Sequence, residues 1–215
     1  MIKLFKPVIA IGLLIVILMV FASLLTSNPY MRLSKGLYQE HDAITYDHDY
    51  VSKQLIDYLN YRHDDLTFGA NENDPNPVMR DIEIRHMEDV KTLYTLLRIS
   101  AIISLFLVVG LSVILYKKDI QMFYNTFKTI YLLPAAFIAF VGVWLLIDFD
   151  RLFVTFHELF FDNDDWLLRM DDVLIQLLPQ NFWFVSAAII IVGTVLSFGL
   201  ILYLNERFIK PKIKH

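Results

Sequence analysis

Four long apolar runs dominate the pattern of hydrophobic and polar positions along the chain. They cover residues 8–25, 94–116, 130–147 and 182–204. Each run comes close to the roughly 20 residues that an α-helix needs to cross a bilayer. The pattern therefore predicts an all-α membrane protein with four transmembrane helices.

The long polar connection between the first two runs contains its own helical signals. Residues 49–62 place their apolar side chains on one helical face, whereas residues 69–77 contain two prolines that disfavour helix. From Asp81 onward no helix breaker occurs until Lys117. We therefore expect the second membrane helix to begin about three turns before its apolar run.

The second polar connection predicts a short amphipathic helix. Phe153, Phe156, His157 and Phe160 follow the spacing i, i+3, i+4, i+7, and polar residues form the opposite stripe. Such a helix is typical of a membrane interface, where it presents one imidazole at the boundary between acyl chains and water.

Charge sets the orientation of these segments. The N-terminus, the short second connection and the C-terminal tail together carry 9 basic and 2 acidic residues, whereas the two long connections carry 10 basic and 21 acidic residues. Since Lys and Arg concentrate on the cytoplasmic side, we expect both termini inside and a mainly helical extracytoplasmic cap formed by the two long connections.

The predicted order along the chain has eight segments. The first run resembles a signal peptide, but its length and the orientation of the tail favour a retained span. The segments are the N-terminal tail with the first span (1–27), the first extracytoplasmic segment (28–93), the second span (94–116), a cytoplasmic loop (117–129), the third span (130–147), the second extracytoplasmic segment (148–181), the fourth span (182–205) and a cytoplasmic tail (206–215).

Composition narrows the possible chemistry. The 215 residues include no Cys, which excludes a disulfide, a thiolate metal site, a Cys nucleophile and lipidation of the chain on Cys. No basic patch suited to nucleic acid is present. Ionisable residues are nearly absent from the apolar runs, with Arg98 as the main exception. This argues against an ion-coupled transporter and favours chemistry or binding at the outer surface.

Two histidines stand out as candidates for chemistry. On a helix, Glu83 and Asp89 lie one turn before and one turn after His86, so either carboxylate is placed to orient the imidazole or stabilise its cation. The alternative is an ordinary solvated helix face. His157 lies among phenylalanines and must find a hydrogen-bond partner or face a cavity. The alternative there is a packed core histidine.

Other catalytic patterns fit less well. His157 and Glu158 begin like a zinc-protease helix, but Phe161 occupies the position of the second histidine, and no serine nucleophile elbow occurs. His41, His48 and His63 lie near carboxylates, without the spacing of a known zinc site.

At these residues the sequence resembles the bacterial lipoprotein intramolecular transacylases, a family of four-span membrane enzymes. The resemblance covers nearly the whole chain in the order of spans and the lengths of loops. One departure is Asp164-Asp165, where a small residue is expected before the tryptophan. The matching blocks are Glu83-x-x-His86-Met87-x-Asp89-Val90, then Phe156-His157-x-x-Phe160-Phe161 followed by Trp166, and Ile175-x-x-Leu178-Pro179-x-x-Phe182-Trp183.

The resemblance implies an acyltransferase of the bacterial cytoplasmic membrane with its active site on the extracytoplasmic face. The enzyme would move the sn-2 acyl chain of an S-diacylglyceryl-cysteine lipoprotein to the α-amino group of the same cysteine, with no cofactor, metal or outside acyl donor. The apolar setting of His157 favours a neutral base and the carboxylates beside His86 favour its cation, so we expect His157 to act as base and His86 as acid. The opposite assignment fits the sequence nearly as well. Asp89 and Glu83 would support His86, and Arg85 or Tyr94 would hold substrate oxygens.

Two alternatives from other classes remain open at this stage. One is a non-catalytic membrane module whose acidic outer segments bind a lipid or protein partner, with the histidines as packing or pH-sensing residues. The other is a metal-dependent membrane hydrolase using His41, His48 or His63. The sequence does not decide the oligomeric state, nor whether His86 and His157 meet in space.

Overall fold

The computed structural model describes residues 4–35 and 45–213, and the regular secondary structure of these residues is helical, with no strand. The helix of the second span begins at Asp81 and is unbroken, as the sequence predicted. The helices are α1 (Phe5–Leu25), α2 (Asn28–Lys35), α3 (His48–Leu59), α4 (Asp81–Lys118), α5 (Ile120–Thr129), α6 (Leu132–Ile147), α7 (Phe149–Phe160), α8 (Val173–Leu177) and α9 (Gln180–Leu204).

Four helical stretches are long and apolar enough to cross a membrane: Phe5–Leu25, Asp81–Lys118, Ile120–Ile147 and Gln180–Ile213. Their apolar side chains are largely exposed, as Phe106 at 75% and Leu146 at 78% illustrate. In water such surfaces would associate, so they indicate contact with lipid. The prediction of an all-α membrane protein with four spans is confirmed.

Helix α4 is much longer than a bilayer requires. Its 38 residues correspond to roughly 57 Å, whereas the hydrocarbon core of a bilayer is about 30 Å thick. The apolar part begins at Tyr94, so the polar first part, which contains Glu83 and His86, precedes the membrane-spanning segment. The absence of Pro and Gly from residues 81–93 explains why the helix starts this early.

The residues between the second and third apolar runs form helix α5 rather than an open loop. Asp119 is its N-cap and accepts a hydrogen bond from the Met122 N–H at 3.0 Å. At the other end of the chain, a π-helical turn (Asn205–Ile209) and a 3-10 turn (Lys210–Ile213) continue α9. In both places the basic residues that the structure describes lie on helical backbone.

The chain divides into two compact units. The first comprises Met1–Ala22, Leu97–Ile147 and Ala188–His215. Within it, helices pack closely enough that a Cβ atom at Gly193 would lie 2.1 Å from Cζ of Phe21. The Tyr124 hydroxyl donates to Glu206 at 2.6 Å, and the Asn205 amide donates to the Tyr124 carbonyl at 3.0 Å. Small residues and interhelical hydrogen bonds are typical of packing between membrane helices.

The second unit comprises Ser23–Leu96 and Asp148–Ala187, and it contains both candidate histidines. Its core joins one face of α3 to the polar part of α4 and to α8, with Leu66 and Leu177 completely buried. The predicted helices at 49–62 and in the second connection appear here as α3 and α7. No helix forms between residues 60 and 80, where the prolines were expected to break regular structure.

Candidate active site

The structure brings His86 of α4 and His157 of α7 together. Their ring centroids are 5.9 Å apart and the ring planes are inclined by 32°. Both side chains are buried, with 9% and 8% of the residue surface exposed. The sequence separates these residues by 71 positions, and no periodicity signals their contact.

His157 is held in one tautomer by its own helix. Its Nδ1 lies 2.7 Å from the carbonyl oxygen of Phe153, one turn earlier in α7. A carbonyl oxygen only accepts hydrogen bonds, so Nδ1 must carry the proton and Nε2 presents a lone pair. Burial lowers the pKa of this imidazole, although the hydrogen bond to Phe153 opposes the shift. His157 is therefore held as a neutral imidazole whose Nε2 carries no proton.

The sequence predicted that the cation of His86 would be favoured, but the structure favours its neutral form. Burial, followed by the proximity of His157, lowers the pKa of His86 to about 4, and the carboxylates of Asp89 and Asp165 offset this only in part. Within residues 4–35 and 45–213, Nδ1 of His86 is buried without a hydrogen-bond partner. The neutral ring is favoured because the free-energy cost of desolvating the imidazolium exceeds its stabilisation by the nearby carboxylates.

Aromatic rings enclose both imidazoles. The ring centroid of Phe161 lies 5.3 Å from that of His86, while those of Phe153 and Trp166 lie 4.2 Å and 4.9 Å from that of His157. These residues surround the pair with apolar surface and keep water away from it. In such a setting electrostatic interactions with a developing charge are stronger than in bulk water.

Glu83, named from the sequence as a support for His86, is engaged elsewhere. Its carboxylate is completely buried and accepts the N–H groups of Arg80 and Leu174, each at 2.8 Å. Asp172, which sequence analysis did not identify, accepts both the Arg80 guanidinium and the Arg169 N–H. These bonds join the first turn of α4 to the first turn of α8. Burial raises the pKa of Glu83, whereas the two N–H groups oppose that change.

Asp89 and Arg85 both contact the turn that follows α7. The Asn163 amide donates to Asp89 at 2.8 Å, and the Arg85 guanidinium donates two hydrogen bonds to Asp165, at 2.8 and 2.9 Å. The Asp165 N–H also donates to the side-chain oxygen of Asn163 at 3.0 Å. These contacts hold the turn that carries Trp166 against His157. They also explain why an acidic residue is accommodated at position 165.

Tyr94 is buried, and its hydroxyl forms a hydrogen bond of 2.8 Å with the Thr26 hydroxyl. Among the other histidines, Nδ1 of His48 lies 3.6 Å from Asp49 and 3.4 Å from Ser52, and His63 is exposed. His41 lies outside the described residues. In the part of the chain that the structure describes, no three His, Cys, Asp or Glu side chains are grouped as metal ligands would be.

The chain matches the model of the family "Lipoprotein intramolecular transacylase Lit" over residues 3–183. The chain belongs to the Lit family. The crystal structure of Lit from Bacillus cereus, determined in meso, covers 100% of this chain and 99% of its own, with a TM-score of 0.83 and 20% identity. The same Bacillus cereus protein with a histidine-to-alanine mutation gives a TM-score of 0.73 at 19% identity.

A relative from Aquifex aeolicus (strain VF5), described as an uncharacterized protein, is 28% identical over 136 residues. That match spans 61% of this chain and 60% of the relative. At these identities the Bacillus cereus Lit structures establish the shared four-span fold. The family assignment confirms the resemblance noted from the histidine blocks.

Proposed function

We propose that the protein is a lipoprotein intramolecular transacylase whose His86–His157 pair moves an acyl chain within the lipid-modified N-terminal cysteine of its substrate. The sn-2 ester of the S-diacylglyceryl group is the donor and the α-amino group of the same cysteine is the acceptor. The product is an N-acyl, S-monoacylglyceryl lipoprotein. The observation that carries the proposal is the neutral His157, fixed by the Phe153 carbonyl, with its free nitrogen beside a second buried imidazole.

The reaction requires one proton to travel from nitrogen to oxygen. The neutral amine attacks the ester carbonyl, a C–N bond forms and the carbonyl oxygen becomes an oxyanion. Nε2 of His157 accepts the proton from the attacking nitrogen. The tetrahedral intermediate then collapses, the C–O bond to glycerol breaks, and the His157 imidazolium returns the proton to the departing oxygen.

His86 has a different role in this scheme. As a neutral ring it offers one N–H donor, which we place toward the oxyanion of the tetrahedral intermediate. The carboxylates that flank His86 in the sequence suggested an imidazolium at this position, but the low pKa of His86 supports a neutral donor instead. Two neutral imidazoles suffice because the same histidine both takes and returns the proton.

The remaining residues named from the sequence would position this pair. Glu83 fixes the start of α4, and Asp89 and Arg85 hold the turn that places Trp166 on His157. The side chain of Arg85 is 55% exposed, so it remains accessible to a substrate oxygen. Both reacting groups belong to the substrate, which makes effective concentration rather than an added cofactor the main source of rate acceleration.

The charge distribution supports a location in the bacterial cytoplasmic membrane. The basic loop and tail favour the cytoplasmic side for the helical ends at Lys117 and Lys210, and we infer from this that the histidine pair lies on the extracytoplasmic face. That is the side on which the lipid-modified cysteine of an exported lipoprotein is expected.

The decisive experiment is tandem mass spectrometry of a diacylated lipopeptide incubated with the purified protein. We expect an unchanged total mass and fragments that place one acyl chain on the N-terminal amine. Loss of one acyl group would instead indicate a hydrolase, and a chelator that abolished that loss would indicate the metal-dependent alternative. An unchanged lipopeptide with folded protein would favour the binding module.

A further inference from the structure

A cavity open to the surroundings lies on the other side of α4 from the histidine pair. It measures about 360 Å³ and lies between the end of α3 and the stretch of α4 from Glu88 to Leu96. With 100° between successive helical residues, Lys91 and Thr95 project roughly 140° and 180° around α4 from His86. The cavity is therefore separate from the candidate active site, and its role does not depend on the proposed transacylase reaction.

The end of α3 is built around an unusual tyrosine. The Arg62 N–H donates to the Asp57 carbonyl at 2.8 Å and the Tyr61 N–H to the Tyr58 carbonyl at 3.2 Å. This is the Schellman arrangement, in which the left-handed position is normally glycine. Here Tyr61 occupies it with φ of 59°. A residue with a side chain is strained in that conformation, which suggests that the ring serves another purpose.

The ring of Tyr61 is used to hold a lysine. Nζ of Lys91 lies 3.7 Å from the ring centroid of Tyr58 and 4.5 Å from that of Tyr61. The Tyr61 hydroxyl also forms a hydrogen bond with Thr95, whose own hydroxyl donates to the Lys91 carbonyl. The two rings thus fix an ammonium group at the wall of the cavity.

No carboxylate in the described part of the chain neutralises Lys91. Among the residues that the structure describes, neither Lys91 nor Glu88 takes part in an ion pair within 4 Å. Both nevertheless line the cavity, one helical turn apart. The cavity therefore presents one positive and one negative group that do not satisfy each other, as a site for a ligand with both charges would.

The cavity continues onto apolar surface. Leu96 lines it and is 58% exposed, and it belongs to the apolar run that begins at Tyr94. Tyr and Lys side chains beside the start of a membrane span are typical of the level of the lipid headgroups. A ligand here would have a charged end at Lys91 and Glu88 and a hydrocarbon end along Leu96.

We propose that this cavity binds the headgroup of a zwitterionic phospholipid of the phosphoethanolamine type. The phosphate would lie at the Lys91 ammonium and the lipid's own ammonium at the Glu88 carboxylate, with the acyl chains following Leu96. An anionic headgroup without an amine would leave Glu88 unpaired beside a second negative charge. Free inorganic phosphate would make no use of the apolar wall.

The test is native mass spectrometry of the full-length protein in detergent with equal amounts of phosphatidylethanolamine and phosphatidylglycerol. We expect the wild-type protein to retain phosphatidylethanolamine preferentially. Lys91→Gln should lower that retention about tenfold, the effect of losing one charge-assisted hydrogen bond. Lys35→Gln removes the same charge from an exposed side chain elsewhere, and it should leave retention unchanged.

Two further variants make the result specific. Tyr61→Gly should also lower retention, although glycine suits the left-handed position and keeps the end of α3 intact. Glu88→Gln should shift the ratio of bound lipids toward phosphatidylglycerol. Equal retention of both lipids, wild-type behaviour of Lys91→Gln, or displacement of the lipid by millimolar inorganic phosphate would each overturn the proposal.

Discussion

Two buried polar clusters lie on successive turns of α4, and they are satisfied to very different degrees. In the carboxylate cluster, Glu83 accepts two backbone N–H groups and Asp172 accepts both a guanidinium and an N–H. In the histidine cluster, Nδ1 of His157 has its partner, whereas Nδ1 of His86 is buried without one among the residues that the structure describes. Buried polar groups are nearly always paired, so this nitrogen of His86 is left available to a ligand.

The strongest test of this difference is His157→Asn. Asparagine can keep a hydrogen bond to the Phe153 carbonyl and preserve the end of α7, but it supplies no basic nitrogen. We expect the rate of acyl transfer to fall by about 10²- to 10⁴-fold, the usual contribution of a general base. The rate is measured by mass spectrometry of a diacylated lipopeptide under single-turnover conditions.

The control for this variant is its thermal unfolding midpoint in the same detergent. A midpoint close to that of the wild-type protein separates loss of chemistry from loss of structure. If His157→Asn kept the wild-type rate, the assignment of His157 as the base would be wrong.

The second test is His86→Ala, which removes the proposed N–H donor to the oxyanion. Loss of one such donor lowers the rate of acyl transfer by about 10²- to 10³-fold in other enzymes. We expect the same range here, together with unchanged retention of the lipopeptide on the protein. A purely structural histidine would instead lower lipopeptide retention and rate together.

Substitutions in the carboxylate cluster should change the stability of the protein rather than the rate of acyl transfer. Glu83→Ala leaves the buried N–H groups of Arg80 and Leu174 without acceptors, so the free energy of unfolding should fall by about 3 kcal/mol. Glu83→Gln retains one acceptor oxygen, and it should lower the free energy of unfolding by less. Glu158→Ala, on an exposed position of α7, is the matched control and should change stability little. A Glu83→Ala protein with wild-type stability would contradict the structural role of this carboxylate.

Sequence reasoning identified the helices better than the partners of their side chains. Helix α4 was predictable because no breaker follows Asp81, and α7 because its phenylalanines share one face. The contact between Glu83 and Leu174 spans 91 positions, and the ion pair between Arg85 and Asp165 spans 80. Periodicity carries information about one helix at a time, so such tertiary partners lie beyond it.

The same limit explains the charge of His86. On the helix alone, Glu83 and Asp89 flank it and favour a cation, as the sequence suggested. In the fold Glu83 bonds to Arg80 and Leu174, Asp89 accepts the Asn163 amide, and burial dominates the pKa. Burial depends on α7 and the turn at Phe161, neither of which is local in sequence to His86.

The stability of the histidine cluster should depend on pH. The unfolded chain takes up protons at both histidines near pH 6.5, whereas the folded chain does so only at lower pH because both pKa values are lowered. Stability is therefore complete above about pH 6.5 and falls as the pH approaches 4, by roughly 3 kcal/mol for His86. His86→Asn should flatten this dependence, as measured by thermal unfolding between these pH values. An equally steep dependence in the variant would place the titration elsewhere.

The smallest effect is expected from the contact between the turn and α4. The Arg85–Asp165 pair is partly exposed, so solvent screens it and its contribution to stability is small. Its influence on the reaction comes from holding the turn that places Trp166 against His157. Arg85→Ala should slow acyl transfer by only about fivefold, because it loosens the turn without removing a reacting group. Because both residues act through one contact, Arg85→Ala with Asp165→Ala should be no slower than Arg85→Ala alone. An additive loss in the double variant would show that Arg85 acts directly on the substrate rather than through the turn.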